Sequence, residues 1–182
     1  MEVALPDGRK VMLDPEKAEV RVRDGVQRFD VRAVGSAEAL RNADFAANSY
    51  GAYIAVGGKL YTIDFKRGKV EGEILEDVER KEGRLGRMAL SAGEESFFVV
   101  PDGGGGLYAF SSVKRRIDYV PLKTIRSQEG SIENPSIAYL NGFVFITGNG
   151  KHGVFKNLYA VDVSALGSGK GVPVIIRSIP FF

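Results

Sequence analysis

Cysteine is absent from the 182-residue chain, which removes disulfides, thiol catalysis and thiolate metal sites together. A single histidine, His152, argues against a histidine-based metal cluster or a Ser-His-Asp relay, since both need imidazoles at defined places. No apolar run approaches the roughly 20 residues that cross a bilayer. The N-terminus lacks a basic segment followed by an apolar one, so no signal peptide is expected. These absences predict a soluble, cytoplasmic protein with no membrane contact. Charge of one sign is lacking too. The 25 Lys and Arg stand against 23 Asp and Glu, and the net charge of +2 is too small to imply a polyanionic partner by itself. Glutamine occurs only as Gln27 and Gln128, beside abundant Arg, Lys and Glu, a composition that leans to a thermophilic source. No metal and no cofactor are expected.

What is present is a repeat. Gly58-Lys59-Leu60-Tyr61-Thr62-Ile63-Asp64 returns as Gly106-Leu107-Tyr108-Ala109-Phe110-Ser111 and as Asn157-Leu158-Tyr159-Ala160-Val161-Asp162, with a fainter copy at Lys10-Val11-Met12-Leu13-Asp14. Val11, Leu60, Leu107 and Leu158 are 49, 47 and 51 residues apart. A period in this range marks stacked or radial repeat units. Hydrophobic residues make up 44% and charged residues 26%, ordinary values for a chain that buries a core.

Each unit reads as four short strands in up-and-down order. The first full unit covers 43–76, with strands at Asp44–Ala47, Ala52–Val56, Lys59–Ile63 and Lys69–Leu75. Units at 87–123 and 135–177 repeat the pattern, the last with a polar loop from Gly148 to Lys156 and a closing strand at Pro173–Arg177. Residues 1–34 supply strands at Glu2–Leu5, Arg9–Leu13, Ala18–Arg23 and, after the Asp24-Gly25 hairpin signal, Val26–Val34. Val3 to Gly8 resembles Val99 to Gly103, so the chain reads as starting on the second strand of a unit. The missing first strand is expected from Ser178–Phe182, closing a ring that leaves no long open edge. Ser36 and Ala37-Glu38-Ala39-Leu40 predict one short capped helix.

These residues resemble β-propeller blades. Val144-Phe145-Ile146-Thr147-Gly148 followed by Asn157 to Asp162 resembles a kelch blade. Gly58 to Asp64 with Gly68-Lys69-Val70 resembles blades of the quinoprotein dehydrogenase type. The resemblance covers nearly the whole chain and implies an all-β fold: a small propeller of four four-stranded antiparallel blades in one domain, closed by pairing of the N- and C-terminal strands. It implies nothing about function, because propellers host enzymes and binding modules alike.

The chemistry-bearing residues have structural readings. The tyrosines of the repeat fit inter-sheet packing better than a ligand ring. Asp14, Asp64 and Asp162 end the third strands, where a side chain that fixes the turn explains them. The segment 164–171 contains Gly169-Lys170 but lacks the glycine, hydroxyl residue and helix that a phosphate-binding loop requires.

Electrostatics offer the sharper expectation. The turns between third and fourth strands carry Lys17; Lys66, Arg67 and Lys69; Lys114, Arg115 and Arg116; and Lys170. In an up-and-down unit these turns share one end, which predicts a basic rim facing phosphates or an acidic protein surface. The loop with Asn149, Lys151 and His152 is a further binding candidate. The sequence thus predicts a non-catalytic scaffold that binds another protein or a larger assembly through loops on one face, as a monomer or homodimer. Nucleic-acid or ribonucleoprotein binding through the rim is the alternative, and an enzyme with a site at the ring centre is a third.

Overall fold

The computed structural model describes residues 1–23, 27–73, 86–111, 117–122, 132–150, 156–164 and 174–181. The strands form four antiparallel four-stranded sheets, each in up-and-down order. The first holds β1 (Glu2–Ala4), β2 (Lys10–Asp14), β3 (Glu19–Arg23) and β4 (Gln27–Asp30). After helix α1 (Ala37–Arg41) comes the second, with β5 (Asp44–Ala47), β6 (Gly51–Val56), β7 (Lys59–Asp64) and β8 (Lys69–Glu73). The third holds β9 (Met88–Ala92), β10 (Ser96–Pro101), β11 (Gly106–Ser111) and β12 (Ile117–Pro121). The fourth holds β13 (Ile132–Leu140), β14 (Phe143–Gly150), β15 (Lys156–Asp162) and β16 (Val174–Phe181). The predicted helix is present, and the Ser36 hydroxyl caps it by accepting the Ala39 N–H at 3.2 Å.

Three apolar cores join the sheets in sequence order, first to second, second to third and third to fourth. Among the described residues no core and no ladder joins the first sheet to the fourth. Alternation along each strand sends neighbours to opposite faces, and the repeat exploits this. Val11, Leu60 and Leu107, each 0% exposed, face the following sheet. The next residue faces the preceding one, where Tyr61, Tyr108 and Tyr159 pack into the first, second and third cores. Both members of the pairs at 60–61 and 107–108 therefore pack in cores, as does Tyr159, while Leu158 is half-buried outside them, and the tyrosines form no ligand ring. Aromatic stacking bridges every junction: Phe29 on Phe65 at 5.6 Å, Tyr53 on Phe97 at 4.0 Å and Phe98 on Tyr139 at 5.6 Å between ring centroids.

Two strand assignments are corrected. Ser178–Phe181 does not complete the N-terminal sheet. It belongs to β16, which pairs with β15 from Asp162↔Val174 to Lys156↔Phe181. The outer strand of the first sheet is Gln27–Asp30 on β3, within the expected Val26–Val34, so β1 to β4 stand as first to fourth strands and the chain does not start on a second strand. Both pairings join strands adjacent in sequence, which costs far less loop entropy than closing a ring through the chain ends. Phe182 lies outside the described residues.

The second correction concerns the polar loop expected from Gly148. β14 continues through Gly148, Asn149 and Gly150, paired with β13 on one side and, as far as Asn149, with β15 on the other. Gly148 is used for close approach here, not for a turn. A Cβ on it would lie 2.6 Å from the Ile132 side chain and 2.9 Å from the Glu133 carbonyl. β13 is correspondingly longer than its predicted core, with an irregularity between Glu133 and Ser136 and Asn134 at φ 50°.

Leu107→Ala should lower the unfolding free energy by about 2–5 kcal/mol, as for other fully buried leucines, measured by urea denaturation. Gly148→Ala should also destabilise, because strand backbone stands in the way; a wild-type urea midpoint for Gly148→Ala would contradict the close approach.

Candidate functional site

The up-and-down order separates the turns into two ends. One end carries the turns between first and second strands and between third and fourth. The other carries the turns between second and third strands and the connections between sheets.

At the first end, the repeated aspartates hold the turns. Asp64 accepts the Lys66 and Arg67 N–H groups, each at 2.9 Å. Asp14 holds a turn in the same way, accepting the Lys17 N–H at 3.2 Å, but it ends β2, so this β2–β3 turn lies at the opposite end and not in the third-to-fourth position the repeat predicts. Asp162 accepts both the N–H and the hydroxyl of Ser164, at 2.9 and 2.6 Å. Those bonds to Ser164 hold the Asp162 carboxyl below its ordinary pKa. These carboxylates are occupied by their own turns and do not converge on a common point, which is the turn-fixing role expected of them.

The tips of these turns project the basic residues. Lys66, Arg67 and Lys69 are exposed at this end, and Lys17 is exposed at the other, so the structure does not bring Lys17 into the expected rim. Arg67 lies 3.6 Å from Asp64 and Lys69 lies 3.8 Å from Glu71, so part of their charge is locally offset. Lys114, Arg115, Arg116 and Lys170 lie outside the described residues, as do Lys151 and His152. Asn149 is half-buried within β14.

Sequence reasoning missed three features of this end. Tyr50, 43% exposed, stands beside the basic turn of the second sheet, its carbonyl accepting the Phe65 N–H at 3.1 Å. Its presentation depends on buried Asn48. The Asn48 side-chain oxygen accepts the Tyr50 N–H at 3.0 Å, the Gly51 N–H at 3.2 Å and the Tyr53 hydroxyl at 3.2 Å. Its amide donates to the Ser96 carbonyl at 3.4 Å, tying the second sheet to the third. The third feature is acidic. Glu94 and Glu95 are exposed in the β9–β10 turn, whereas Glu16, next to Lys17, pairs with Arg41 at 2.6 Å at the opposite end. The first end is therefore mixed in sign, with Lys66, Arg67 and Lys69 on the second sheet and Glu94 and Glu95 on the third.

At the opposite end a cleft of about 500 Å³ opens between the second and third sheets. Asn42, Asp44, Gly57, Gly58, Arg87 and Met88 contribute to its lining. Gly57 and Gly58, at φ 59° and 77°, form the β6–β7 turn, a conformation that admits glycine at both central positions without strain. Burial pushes the Asp44 carboxyl above its ordinary pKa, opposed by the charge of Arg87 and by the Leu90 backbone amide. Nothing in the sequence links Asp44 to Arg87, since they come from different units. Among the described residues no group of three or more His, Cys, Asp or Glu side chains is arranged to hold a metal ion. Compared with known proteins, the chain matches no family model and no curated protein.

The two carboxylates at the extremes titrate in opposite directions. Asp30, bound by the Arg32 guanidinium, is lowered to about 2. Asp44 is raised, so its favourable contribution is present below the unfolded carboxylate value and is lost as pH rises through the folded one. Asp44→Asn should therefore unfold at a higher temperature than wild type at pH 7, with the gap closing below about pH 4. Carboxyl NMR titration should find Asp30 last to protonate and Asp44 above its ordinary value; the reverse order would refute the assignment.

Proposed function

We propose that the chain is a non-catalytic binding scaffold that engages another protein or a larger assembly through the turns at the Lys66 end of its sheets. The observation that carries this reading is the mixed sign of that end. Lys66, Arg67 and Lys69 share it with Glu94 and Glu95. Such a surface suits a protein partner with charges of both signs, whereas a polyanion meets repulsion at the carboxylates. The turns are held by side-chain hydrogen bonds to backbone, so little ordering cost is left for the moment of binding. A blade-like succession of sheets supports the scaffold reading. First strands β5, β9 and β13 run side by side, and Ser91 on β9 accepts the Tyr139 N–H of β13 at 3.0 Å.

One observation favours a second reading. Tyr50, 43% exposed, lies in a turn whose backbone bonds to Phe65, the residue before Lys66 and Arg67, so an aromatic and two cations share this end, a combination that single-stranded nucleic acid uses.

A capture experiment from source-cell extract separates the two. The wild-type chain and a Lys66→Glu, Arg67→Glu, Lys69→Glu variant would each be used as bait, with and without nuclease. The expected result is recovery of the same proteins with and without nuclease by wild type, and a loss of about tenfold or more with the variant. Loss on nuclease treatment would establish the nucleic-acid reading. Equal recovery by both baits would reject the turns as the binding surface.

A further inference from the structure

The chain has two Asn-Gly steps, Asn141-Gly142 and Asn149-Gly150. An asparagine before glycine can lose its side-chain amide without an enzyme, because glycine has no Cβ to shield its nitrogen from the asparagine carboxamide carbon. The reaction also needs rotation of the asparagine backbone. The structure around each step therefore decides whether it proceeds.

The two steps stand in opposite settings. Asn141 and Gly142 are the central residues of the β13–β14 turn, at φ 48° and 83°, and Asn141 is exposed. Two residues at a turn tip can rearrange while the closing pair, Leu140↔Phe143, stays formed. Asn149 and Gly150 are strand residues. Asn149 is paired with Glu133 on one side and Lys156 on the other, and Gly150 is paired with Ile132. Rotation there breaks ladder hydrogen bonds of a strand that lies between two others, and leaves their donors and acceptors without partners.

We infer that Asn141 is a site of spontaneous deamidation and that the fold protects Asn149 from the same reaction. The Gly142 nitrogen attacks Asn141 Cγ. The N–Cγ bond forms, the Cγ–Nδ2 bond breaks, and the Gly142 amide proton leaves with the Nδ2 group as ammonia. Water then opens the five-membered imide at one carbonyl or the other, giving aspartate or isoaspartate at position 141. Either product puts a carboxylate on a turn that was neutral, at the end of the sheets that carries Lys66, Arg67 and Lys69. Isoaspartate also adds a methylene to the backbone of a turn whose Gly142 carbonyl accepts the Val163 N–H at 2.8 Å. The chemistry is independent of whether that end binds a partner.

The full chain would be held at physiological temperature and neutral pH, folded in one sample and unfolded in urea in the other. Trypsin cuts after Arg126 and Lys151, so both asparagines fall in one peptide and its fragment ions compare them directly. The folded chain is expected to convert Asn141 at least about tenfold faster than Asn149, because a turn tip opens far more readily than paired strand backbone. In urea the two should convert at similar rates. On anion exchange, the acidic species that accumulates in the folded chain should vanish in Asn141→Gln and persist in Asn149→Gln. Equal rates at the two positions in the folded chain, earlier conversion at Asn149, or an unchanged Asn141 where the urea sample converts would each overturn the assignment.

Discussion

Burial of both faces of a strand governs this molecule. A sheet with one face in a core alternates apolar and polar residues, but the second and third sheets here are covered on both sides. β6 runs Gly51, Ala52, Tyr53, Ile54 and Ala55 with all five residues buried. β10 and β11 are buried almost throughout. The Leu-Tyr pair is the compact expression of this constraint. Its leucine serves one junction and its tyrosine the one before, so each unit is intelligible only between two others. Every junction also needs shape, which the stacked rings at Phe29–Phe65, Tyr53–Phe97 and Phe98–Tyr139 supply.

The outer faces of the first and fourth sheets differ in chemistry. On the first sheet, the position that holds tyrosine in the other copies of the repeat is Met12, among charged residues on β2 and β3 that solvate the face. The fourth sheet keeps the leucine, as Leu158, with Phe143 and Phe145 on the same side and Lys156 and Arg177 also set on that side by the strand pairings.

At the strand ends the dominant interaction changes from packing to hydrogen bonding. Asp14, Asp64 and Asp162 each hold a turn by accepting backbone N–H groups, and Asn48 holds another from within the core. Basic side chains project from turns held this way. Their exposure is a consequence of the topology, which puts third-to-fourth turns outside every core. Carboxylates enter the same surface from the first-to-second turn of the third sheet, as Glu94 and Glu95, so the surface has mixed sign.

Alternation and spacing alone determined the all-β class, the four units, the strand order within the last three and the turn role of the aspartates; in the first unit the equivalence of Val11 to Leu60 misplaced the strand order, since Val11 and Asp14 stand on a second strand. These are local properties, set by period-2 patterning and by turn chemistry within a few residues. The capped helix at Ser36 was legible for the same reason. Tertiary structure decided the rest. Whether Ser178–Phe181 pairs with β1 or β15 depends on competition between two distant edges, and no pattern within the segment encodes the outcome. Gly148 reads as a turn former in isolation and becomes a strand residue only because Ile132 packs against its missing Cβ. Tyr50 against Phe65, and Asp44 near Arg87, are contacts between segments that share no periodicity. Proximity in space between such residues is a product of stacking, and stacking is settled by the whole set of buried faces at once.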